Sequence, residues 1–461
     1  CGTCVEFIPT EQWFIKILDK KKEFINQAKK IKWYPEFMYK RYENWVKGLE
    51  WDWSISRNRH FGVPIPVWEC KKCKKIILPG ENELPVDPLQ VEKYCPECKE
   101  KAEPEKMVFD TWMTSSLTPQ IAISLVPKQF QKQLFPMSLR PQGHDIIRTW
   151  AFYTIVKSYL HEKEIPWKDI AVSGNVSLGG EKMSKSKGNV VNPQEVMKKH
   201  GTDALRFWAA GSKLGSDLDY QEKDVEAGKK FINKISSASR FIFMNLEHYQ
   251  PKKTELLEMD KLFLNKLNKV IKQATKDFDA YEYHKVKLAV DNFFWSVFCD
   301  NYLEIIKKRI YSGNKKEKAS ASYALYYGLL NMIKMFAPFT PFVTEGIYQT
   351  YYRHAEKEIS IHLTEWPKEI QVGKTDTLSG RSKRKGTPKG HDASEKVFIL
   401  FLEILSKIRQ EKSQAKKAMN SEIVLTLENK DKTVLKDVLE DLKAVMNAKE
   451  IKEGKFGVEF L

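Results

Sequence analysis

Apolar residues recur every three or four positions through much of the second half of the chain, as they do in helices that bury one face. The most apolar stretches with this spacing are residues 293–303 and 337–348. We therefore predict an α-helical bundle over residues 216–370. Residues 10–50 show the same spacing in shorter patches, which predicts short amphipathic helices.

Shorter apolar runs bounded by turn residues predict strands between residues 46 and 215. One run lies at 63–67, a second at 107–110 ends in a small polar turn, and a third at 170–173 leads into a glycine-flanked loop. The order strand, helix, strand, loop, helix is what the second half of a doubly wound nucleotide-binding fold requires. We therefore predict an α/β class, with the C-terminal half of a Rossmann-like domain at 46–215.

The last part of the chain is predicted to form a small α/β module at residues 395–461. A basic helical pattern at 395–419 precedes apolar strand runs at 423–427 and 456–460. Residues 371–394 are rich in glycine and charge and poor in apolar residues, which predicts a flexible linker. The basic residues of the helical pattern face either RNA or solvent: Lys407, Arg409, Lys412, Lys416 and Lys417.

The chain carries 77 basic and 60 acidic residues, a net charge of +17. Such an excess favours a polyanionic partner, nucleic acid first, although a basic protein without such a partner can have the same composition. No run of apolar residues is long enough to cross a bilayer, and the start shows no charged-then-apolar signal pattern. We therefore expect a cytoplasmic protein with no membrane contact.

Four cysteines form two pairs with the spacing of metal knuckles. Cys70 and Cys73 enclose two residues, and Cys95 and Cys98 repeat the pattern after a gap of 21 residues. Two such pairs place four thiolates around a tetrahedral Zn²⁺ and leave no position open for a reactive water. We predict a structural zinc ribbon at residues 68–102, in preference to a redox dithiol.

A basic loop at residues 179–188 is the strongest candidate for chemistry. Lys182, Lys185 and Lys187 give it the compact positive charge that suits a polyphosphate, and its glycines leave the backbone free to close over a ligand. Asn192 and Pro193 then predict the start of a helix. A solvated surface loop is the alternative, and the spacing is not that of a P-loop.

Polar residues at two predicted strand ends form a second candidate site, because ligands of α/β sheets bind at the carboxyl ends of strands. Asp110 and Trp112 lie at the end of one strand run. At the end of another predicted strand, Gly143 permits close approach of a ligand, and His144 and Asp145 can hydrogen-bond sugar hydroxyl groups. A capping or core role is the alternative for the histidine.

Several stretches resemble one enzyme family. Residues 182–186, Lys-Met-Ser-Lys-Ser, resemble the signature loop of the class I aminoacyl-tRNA synthetases. Residues 52–57, Asp-Trp-Ser-Ile-Ser-Arg, resemble a segment of the synthetases for valine, isoleucine and leucine, although Asn58 replaces their usual glutamine. Residues 143–148, Gly-His-Asp-Ile-Ile-Arg, and residues 111–119 are most similar to the valine-specific branch of the archaeal or cytosolic type. The helical bundle is similar to the anticodon-binding bundle of that class.

The resemblance implies an enzyme that activates valine with ATP and transfers it to tRNA(Val), with Mg²⁺ accompanying the nucleotide. Lys182 and Lys185 are then the catalytic residues, since they stabilise the charge that builds on the phosphates. The implied amino-acid pocket contains Trp53, Asp110 and Trp112. The implied ATP-binding residues are Gly143, His144, Asp145, Lys182, Met183, Ser184, Lys185 and Ser186.

The chain departs from the family in one respect, since it contains neither the second signature, His-Ile-Gly-His, nor most of the editing insertion. Its first residues look like the middle of a domain, so we expect a fragment or a split protein, with residues 1–45 as the end of the connective or editing insertion. Cys1 and Cys4 are half of a second metal knuckle or two free thiols. We expect the N-terminal half to be a partner needed for activity. A non-catalytic RNA-binding module and an isoleucine-specific enzyme are the alternatives.

Overall fold

A computed structural model of the chain describes residues 4–6, 9–246, 249–373 and 390–461. The chain divides into two compact units, the first made of residues 1–176 and 214–218, the second of residues 177–213 and 219–461. Cys1 and residues 374–389 of the predicted linker lie outside the described residues. Within the described ranges, every helix is too short or too polar to serve as a membrane span.

The first unit mixes strands and helices. Its strands are β1 (Phe14–Ile15), β2 (Lys32–Tyr34), β3 (Trp53–Ser54), β4 (Ser56–Arg57), β5 (Trp68–Cys70), β6 (Ile76–Ile77), β7 (Ala102–Pro104), β8 (Val108–Phe109), β9 (Met137–Gly143) and β10 (Trp167–Ser173). Its α-helices are α1 (Lys21–Lys30), α2 (Met38–Lys47), α3 (Thr111–Ser115), α4 (Thr118–Ser124), α5 (Lys128–Leu134) and α6 (Phe152–Glu162). A π-helical turn at Ile147–Ala151 leads directly into α6.

A parallel sheet in the order β2-β10-β9 forms the centre of this unit. The central strand β10 pairs with β9 from Trp167 opposite Met137 to Ser173 opposite Gly143, so the two strands end together. Its apolar residues are buried in one cluster with residues of α1, α2 and α6. This arrangement agrees with the predicted mixed α/β class, since a parallel sheet needs cover from helices.

The second unit begins with a hairpin and two short helices and continues as a helical bundle. Its strands are β11 (Val176–Leu178), which starts at the unit boundary, β12 (Glu181–Lys182), β13 (Leu218–Asp219), β14 (Ile423–Leu427), β15 (Ala448–Glu453) and β16 (Gly457–Phe460). The first helices are α7 (Pro193–His200), α8 (Thr202–Ala209), α9 (Glu222–Asn245), α10 (Glu258–Asp279) and α11 (Tyr283–Asn292). The later helices are α12 (Leu303–Ile305), α13 (Lys307–Ser312), α14 (Lys315–Phe336), α15 (Pro341–Tyr351), α16 (Gly390–Gln414), α17 (Asn429–Val434) and α18 (Leu439–Met446).

One of the two most apolar stretches of the sequence is a π-helix over Phe293–Tyr302, between α11 and α12. Its aromatic side chains pack into the bundle, and the ring of Tyr302 stacks on Phe263 with centroids 3.8 Å apart. A buried ionic group lies beside this stack: Arg309 donates two hydrogen bonds to the carboxylate of Asp260, at 2.7 and 2.9 Å. Because the carboxylate also accepts from Tyr302 and Ser320, its charge is fully hydrogen-bonded, as a buried charge must be.

The C-terminal module is a three-stranded sheet in the order β15-β14-β16, with β14 parallel to β15 and antiparallel to β16. Its apolar side chains join the buried cluster of the bundle, mainly through α16. Lys412 of α16 faces neither RNA nor solvent, because it is fully buried. Its ammonium group donates to the backbone carbonyls of Met419, Ser421 and Met446 at 2.8, 2.9 and 2.7 Å, and so fixes the module to the helix.

Candidate functional site

The four paired cysteines meet in the first unit beside the sheet formed by β6, β5 and β7. Both pairs have the same backbone turn: the N–H of Lys74 donates to the carbonyl of Cys70, and the N–H of Lys99 donates to that of Cys95. Lys74 and Lys99 also share a left-handed conformation, with φ of 60° and 63°. The sequence repeat therefore produces two turns of the same kind.

The sulfur atoms lie close enough together to contact one ion, at separations slightly shorter than those around a tetrahedral zinc. Sγ of Cys98 is 3.3 Å from that of Cys70 and 3.7 Å from that of Cys73, and the Sγ atoms of Cys73 and Cys95 are 3.5 Å apart. Zinc bound to four thiolates at about 2.3 Å holds them about 3.8 Å apart. Backbone N–H groups, that of Cys98 foremost, lower the pKa of the Cys95 thiol to about 6, which favours the thiolate that metals bind.

Gly143, His144 and Asp145 follow directly from the end of β9. A Cβ atom at Gly143 would come within 2.7 Å of the Asp145 carboxylate, so a larger residue here would displace that side chain. The Asp145 side chain is exposed to solvent. These three residues are thus brought together at the carboxyl edge of the parallel sheet, where ligands of such sheets bind.

His144 is held between two side chains that the sequence patterns did not single out. Nη1 of Arg41 lies 2.9 Å from Nδ1 of the imidazole, and the amide of Asn175 lies 2.9 Å from Nε2. A guanidinium can only donate, so Nδ1 is the acceptor. Asn175 follows β10, whose end is paired with that of β9, and the same strand-end rule could have found it.

Asp110 and Trp112 lie at the start of α3. The Asp110 carboxylate accepts from the backbone N–H of Trp112 at 3.2 Å, which makes it the N-cap of the helix. It also lies 3.3 Å from Nη2 of Arg57, because β4 and β8 pair antiparallel just before. Since Asp110 is buried and Arg57 is partly exposed, the pair presents its basic side to solvent.

Trp53 is buried, with only 4% of its surface exposed. Its indole ring stacks on Tyr153 of α6, with centroids 4.1 Å apart and planes 10° from parallel. Burial, followed by the nearby Asp110 carboxylate, raises the pKa of Tyr153. Sequence reasoning missed this tyrosine, because a residue in an apolar helix gives no sign of which ring it will meet.

The lysine-rich loop belongs to the second unit, where β11 and β12 form a hairpin through Gly179 and Gly180. Both glycines have positive φ, 61° and 80°. Asp219 fixes the hairpin, since its carboxylate accepts from the hydroxyl of Ser177 at 2.6 Å and from the N–H of Gly180 at 2.9 Å. Hydrogen bonds from the same two groups hold the pKa of Asp219 below its usual value.

Asn189 fixes the other end of the loop: its side-chain oxygen accepts from the N–H of Ser184 at 2.8 Å, and its amide donates to the carbonyl of Lys182 at 3.3 Å. The next helix, α7, starts as the sequence predicts, with Asn192 as N-cap accepting from Gln194. The loop is therefore anchored on both sides.

The three lysines of the loop differ in their surroundings. Lys187 lies 3.3 Å from the carboxylate of Glu181. Lys182 and Lys185 are exposed, and in the part of the chain that the structure describes neither is paired with a carboxylate. Met183 and Ser184 are half-buried, and the hydroxyl groups of Ser184 and Ser186 are 2.8 Å apart. Two ammonium groups thus remain free to bind an anion.

Comparison with protein families places these features in a known class. Residues 5–221 match the model for class I tRNA synthetases of the I, L, M and V group, and residues 260–428 match that for the anticodon-binding domain of tRNA ligases. The chain therefore contains a class I tRNA synthetase domain followed by an anticodon-binding domain of tRNA ligases. This confirms the resemblance found in the sequence.

Within that class, the chain is similar to valine–tRNA ligases. It is 38% identical to that of Picrophilus torridus over 456 residues, which are 98% of this chain and 56% of the relative. It is 40% identical to that of Ehrlichia ruminantium strain Gardel, over 98% of this chain and 54% of the relative. Identity to the Archaeoglobus fulgidus ligase is 43%, over 84% of this chain and 44% of the relative. The chain spans about half the length of the curated relatives that it matches.

A solved structure shows the same fold. The leucyl-tRNA synthetase of Agrobacterium radiobacter K84, crystallised in a ternary complex with tRNA and LeuAMS, matches with a TM-score of 0.56. The match covers 69% of this chain and 42% of that chain, at 19% sequence identity. At that identity the likeness concerns the fold alone.

Proposed function

We propose that this chain acts as part of a valine–tRNA ligase, which joins valine to the AMP portion of ATP with release of pyrophosphate and transfers the valyl group to tRNA(Val). The observation that carries the proposal is the pair of exposed lysines, Lys182 and Lys185, on a loop that Asp219 and Asn189 anchor. Similarity to valine–tRNA ligases over nearly the whole chain supports the same reaction. It gives no support to an isoleucine-specific enzyme or to an RNA-binding module without catalysis.

In the first step, the valine carboxylate attacks the α-phosphate of ATP, and the bond to the bridging oxygen of pyrophosphate breaks. In the second, a ribose hydroxyl at the end of the tRNA attacks the valyl carbonyl and releases AMP. Neither step needs a nucleophile from the protein, so catalysis consists of positioning and charge stabilisation. Lys182 and Lys185 stabilise the negative charge that grows on the leaving pyrophosphate, while Met183, Ser184 and Ser186 complete the loop around it.

Residues of the first unit hold the small substrates in this proposal. Gly143, His144 and Asp145 bind the adenosine of ATP, with the imidazole oriented by its two hydrogen-bonded neighbours. Trp53, whose ring stacks on Tyr153, forms a wall of the amino-acid pocket with Asp110 and Trp112.

Two metal ions belong to the proposal. Mg²⁺ bound with ATP neutralises phosphate charge. Cys70, Cys73, Cys95 and Cys98 hold Zn²⁺ in a zinc ribbon, and their spacing supports a structural role because all four positions around the ion are filled.

The second unit offers a surface that suits single-stranded RNA. A cavity of about 660 Å³ in the bundle is lined by aromatic and basic side chains, among them Arg240, Tyr249, Tyr351 and His354. Bases of single-stranded RNA stack on such rings, and guanidinium groups add to the attraction. The match of residues 260–428 to an anticodon-binding domain supports tRNA(Val) as the partner. We place the protein in the cytoplasm, where tRNA is charged.

The test of the proposal is valine-dependent exchange of pyrophosphate into ATP, with the N-terminal portion of a valine–tRNA ligase added as a separate protein. We expect Lys182→Gln and Lys185→Gln each to lower the exchange rate about 10²- to 10³-fold, as the loss of one group that stabilises transition-state charge does. Lys187→Gln is the matched control, and we expect a change of only a few-fold because Glu181 already pairs with that lysine. Equal losses for all three variants would contradict the assigned roles. Faster exchange with isoleucine than with valine would point to the sister enzyme.

A further inference from the structure

A second, smaller groove lies on the bundle, between α9 and the segment that joins the π-helix to α13. Its volume is about 180 Å³, and its lining includes Lys234, Ser237, Cys299, Glu304 and Lys307. This volume is below the range of about 300–1,000 Å³ that drug-sized ligands occupy. The groove therefore suits a small group, such as one phosphate of a longer chain.

The two lysines of the groove are held in place by aromatic rings. Nζ of Lys234 lies 5.6 Å from the ring of Trp295, and Nζ of Lys307 lies 6.0 Å from the ring of Phe241. Such contacts hold a long, flexible side chain over a ring and leave its ammonium hydrogens free for an anion.

Their charges are not equivalent. Lys307 is bonded to both carboxylate oxygens of Glu304, at 2.7 and 2.8 Å. Lys234 has no carboxylate partner in the described part of the chain, and the exposed Ser237 hydroxyl, one helical turn further along α9, likewise has no hydrogen-bond partner there. The three charged groups leave a single positive charge. One ammonium and one hydroxyl group thus face the groove without partners.

The thiol in the floor of the groove is uncharged, and the carboxylate of Asp300 beside it is exposed and does not line the groove. Burial raises the pKa of the Cys299 thiol to about 12, so this side chain is neutral at physiological pH. The π-helix brings this thiol to the same side as Trp295, four residues earlier. A singly charged anion therefore finds one net positive charge, a hydroxyl donor and a neutral wall.

We infer that this groove binds a phosphodiester of the RNA backbone, with Lys234 and Ser237 as donors and Lys307 as a weaker contact. The inference rests on the proposed function, because tRNA is the partner that supplies the phosphate. Such a contact positions the RNA without reading its sequence. The groove is separate from the aromatic cavity of the bundle, since the groove and the cavity share no lining residue.

Binding of an unmodified tRNA(Val) transcript to the full chain, measured between 50 and 200 mM salt, tests the inference. A lysine that neutralises one phosphate contributes about 0.7–0.9 to the slope of log affinity against log salt. We expect Lys234→Gln to lower the slope by about that amount and to weaken binding roughly five- to tenfold at low salt. Ser237→Ala is expected to weaken binding about fivefold without changing the slope, because it removes a hydrogen bond and no charge.

Two further variants sharpen the test. Glu304→Gln releases Lys307 from its carboxylate, and we expect tighter binding with a steeper slope. Lys368→Gln makes the same change of charge as Lys234→Gln, at an exposed lysine that bonds to Glu365 and does not line the groove. We expect this control to leave both the affinity for the transcript and the salt slope unchanged. An unchanged melting temperature for each variant excludes a loss of fold.

The outcomes separate the inference from the proposed function. If the wild-type chain binds the transcript and Lys234→Gln keeps its slope, the groove is not a phosphate site. If Lys234→Gln and Lys368→Gln lower the affinity and the slope equally, only the total charge of the chain matters, and the inference is also overturned. If the wild-type chain shows no salt-dependent affinity for the transcript, the proposed function fails and the groove assignment fails with it.

Discussion

Arg309 contacts two carboxylates at once, Asp260 of the bundle and Asp441 of α18. Its guanidinium makes two hydrogen bonds to Asp260 and has Nε 3.1 Å from Oδ1 of Asp441. Burial raises the pKa of Asp441 to about 6 and outweighs the attraction of Arg309, which lowers this pKa. Asp260, Glu317 and Glu440 raise this pKa further by repulsion.

This pKa predicts a pH dependence of stability. A carboxyl group whose pKa rises from 3.8 to about 6 on folding binds its proton more tightly in the folded state. Its contribution is therefore complete below pH 3.8 and is lost as the pH rises through 6, which amounts to about 3 kcal/mol. We expect the free energy of unfolding in urea, wild type minus Asp441→Asn, to fall by up to that amount between pH 4 and pH 7.

Glu459→Gln is the control for this experiment, since it changes an exposed acidic residue of the same module, on β16, that is not among the groups raising the pKa of Asp441. We expect the difference in free energy of unfolding between the wild type and this control to vary little over that pH range. If the free energy of unfolding, wild type minus Asp441→Asn, grows with pH, Arg309 stabilises the Asp441 carboxylate more than burial destabilises it. The raised pKa assigned to Asp441 would then be wrong.

At the scale of elements, we propose that the cysteine-containing segment depends on a bound metal for its stability. Its strands β5, β6 and β7 are two or three residues long. Such short strands bury little apolar surface, and small domains of this kind are held together by metals or disulfides. We therefore expect a metal bound to the four cysteines to supply a large part of the folding free energy of this segment.

Removal of the metal is therefore expected to unfold the segment. We expect about one zinc per chain in the purified protein, and nearly none after Cys95→Ser. The melting temperature of the first unit is expected to fall by about 10 °C. A loss of about 1 kcal/mol lowers the melting temperature of a unit of this size by roughly 2–4 °C, so this fall corresponds to a loss of about 3 kcal/mol.

Cys299→Ser is the matched control, since it also removes one thiol but lies in the second unit, away from the four sulfurs. We expect this variant to keep its zinc. A wild-type chain that is fully folded and free of metal would show that the four cysteines serve another purpose.

At the scale of the whole molecule, the chain spans 54–56% of two of the relatives that match 98% of it. The sheet β2-β10-β9 has β9 at one edge, and within the described residues that strand pairs only with β10. Several residues of β9 are exposed, and so are Ile121 of α4, Leu125 directly after it and Phe130 of α5, in the segment that precedes β9 along the chain. An open strand edge beside apolar side chains is a surface on which further protein can bind.

We therefore expect catalysis to require the portion of the relatives that this chain does not match. The chain alone should give pyrophosphate exchange near background, because the His-Ile-Gly-His signature is not in its sequence. Addition of an N-terminal portion of a valine–tRNA ligase should raise the rate by several orders of magnitude, because in our proposal catalysis consists of positioning the substrates and this chain supplies only one of the two signatures.

Leu125→Glu places a charge in the exposed apolar surface near β9, and we expect it to weaken the association of the two proteins without unfolding the chain. Exposed Leu288, in the second unit, provides the control as Leu288→Glu. Robust exchange by the chain alone would disprove the requirement for a second portion.

Patterns in the sequence determined the helical bundle, the small C-terminal module and the two cysteine turns. Helical spacing, strand runs and the two Cys-x-x-Cys pairs each depend on neighbours along the chain, so one segment contains the whole signal. The N-cap at Asn192 and the glycine turn before Lys182 were predictable for the same reason. Family resemblance supplied the roles of the loop lysines, which spacing alone left open between a polyphosphate site and a solvated loop.

Tertiary structure decided which of several similar residues are free and which are bound. Lys187 has a carboxylate partner, while Lys182 and Lys185 have none among the described residues. Lys412 is buried and donates to three carbonyl groups, although its sequence context is that of an exposed basic helix. Arg41 and Tyr153 reach the candidate site from helices that carry no motif. The physical reason is that charge pairing, burial and ring stacking depend on residues far apart in the chain, and those neighbours exist only once the chain has folded.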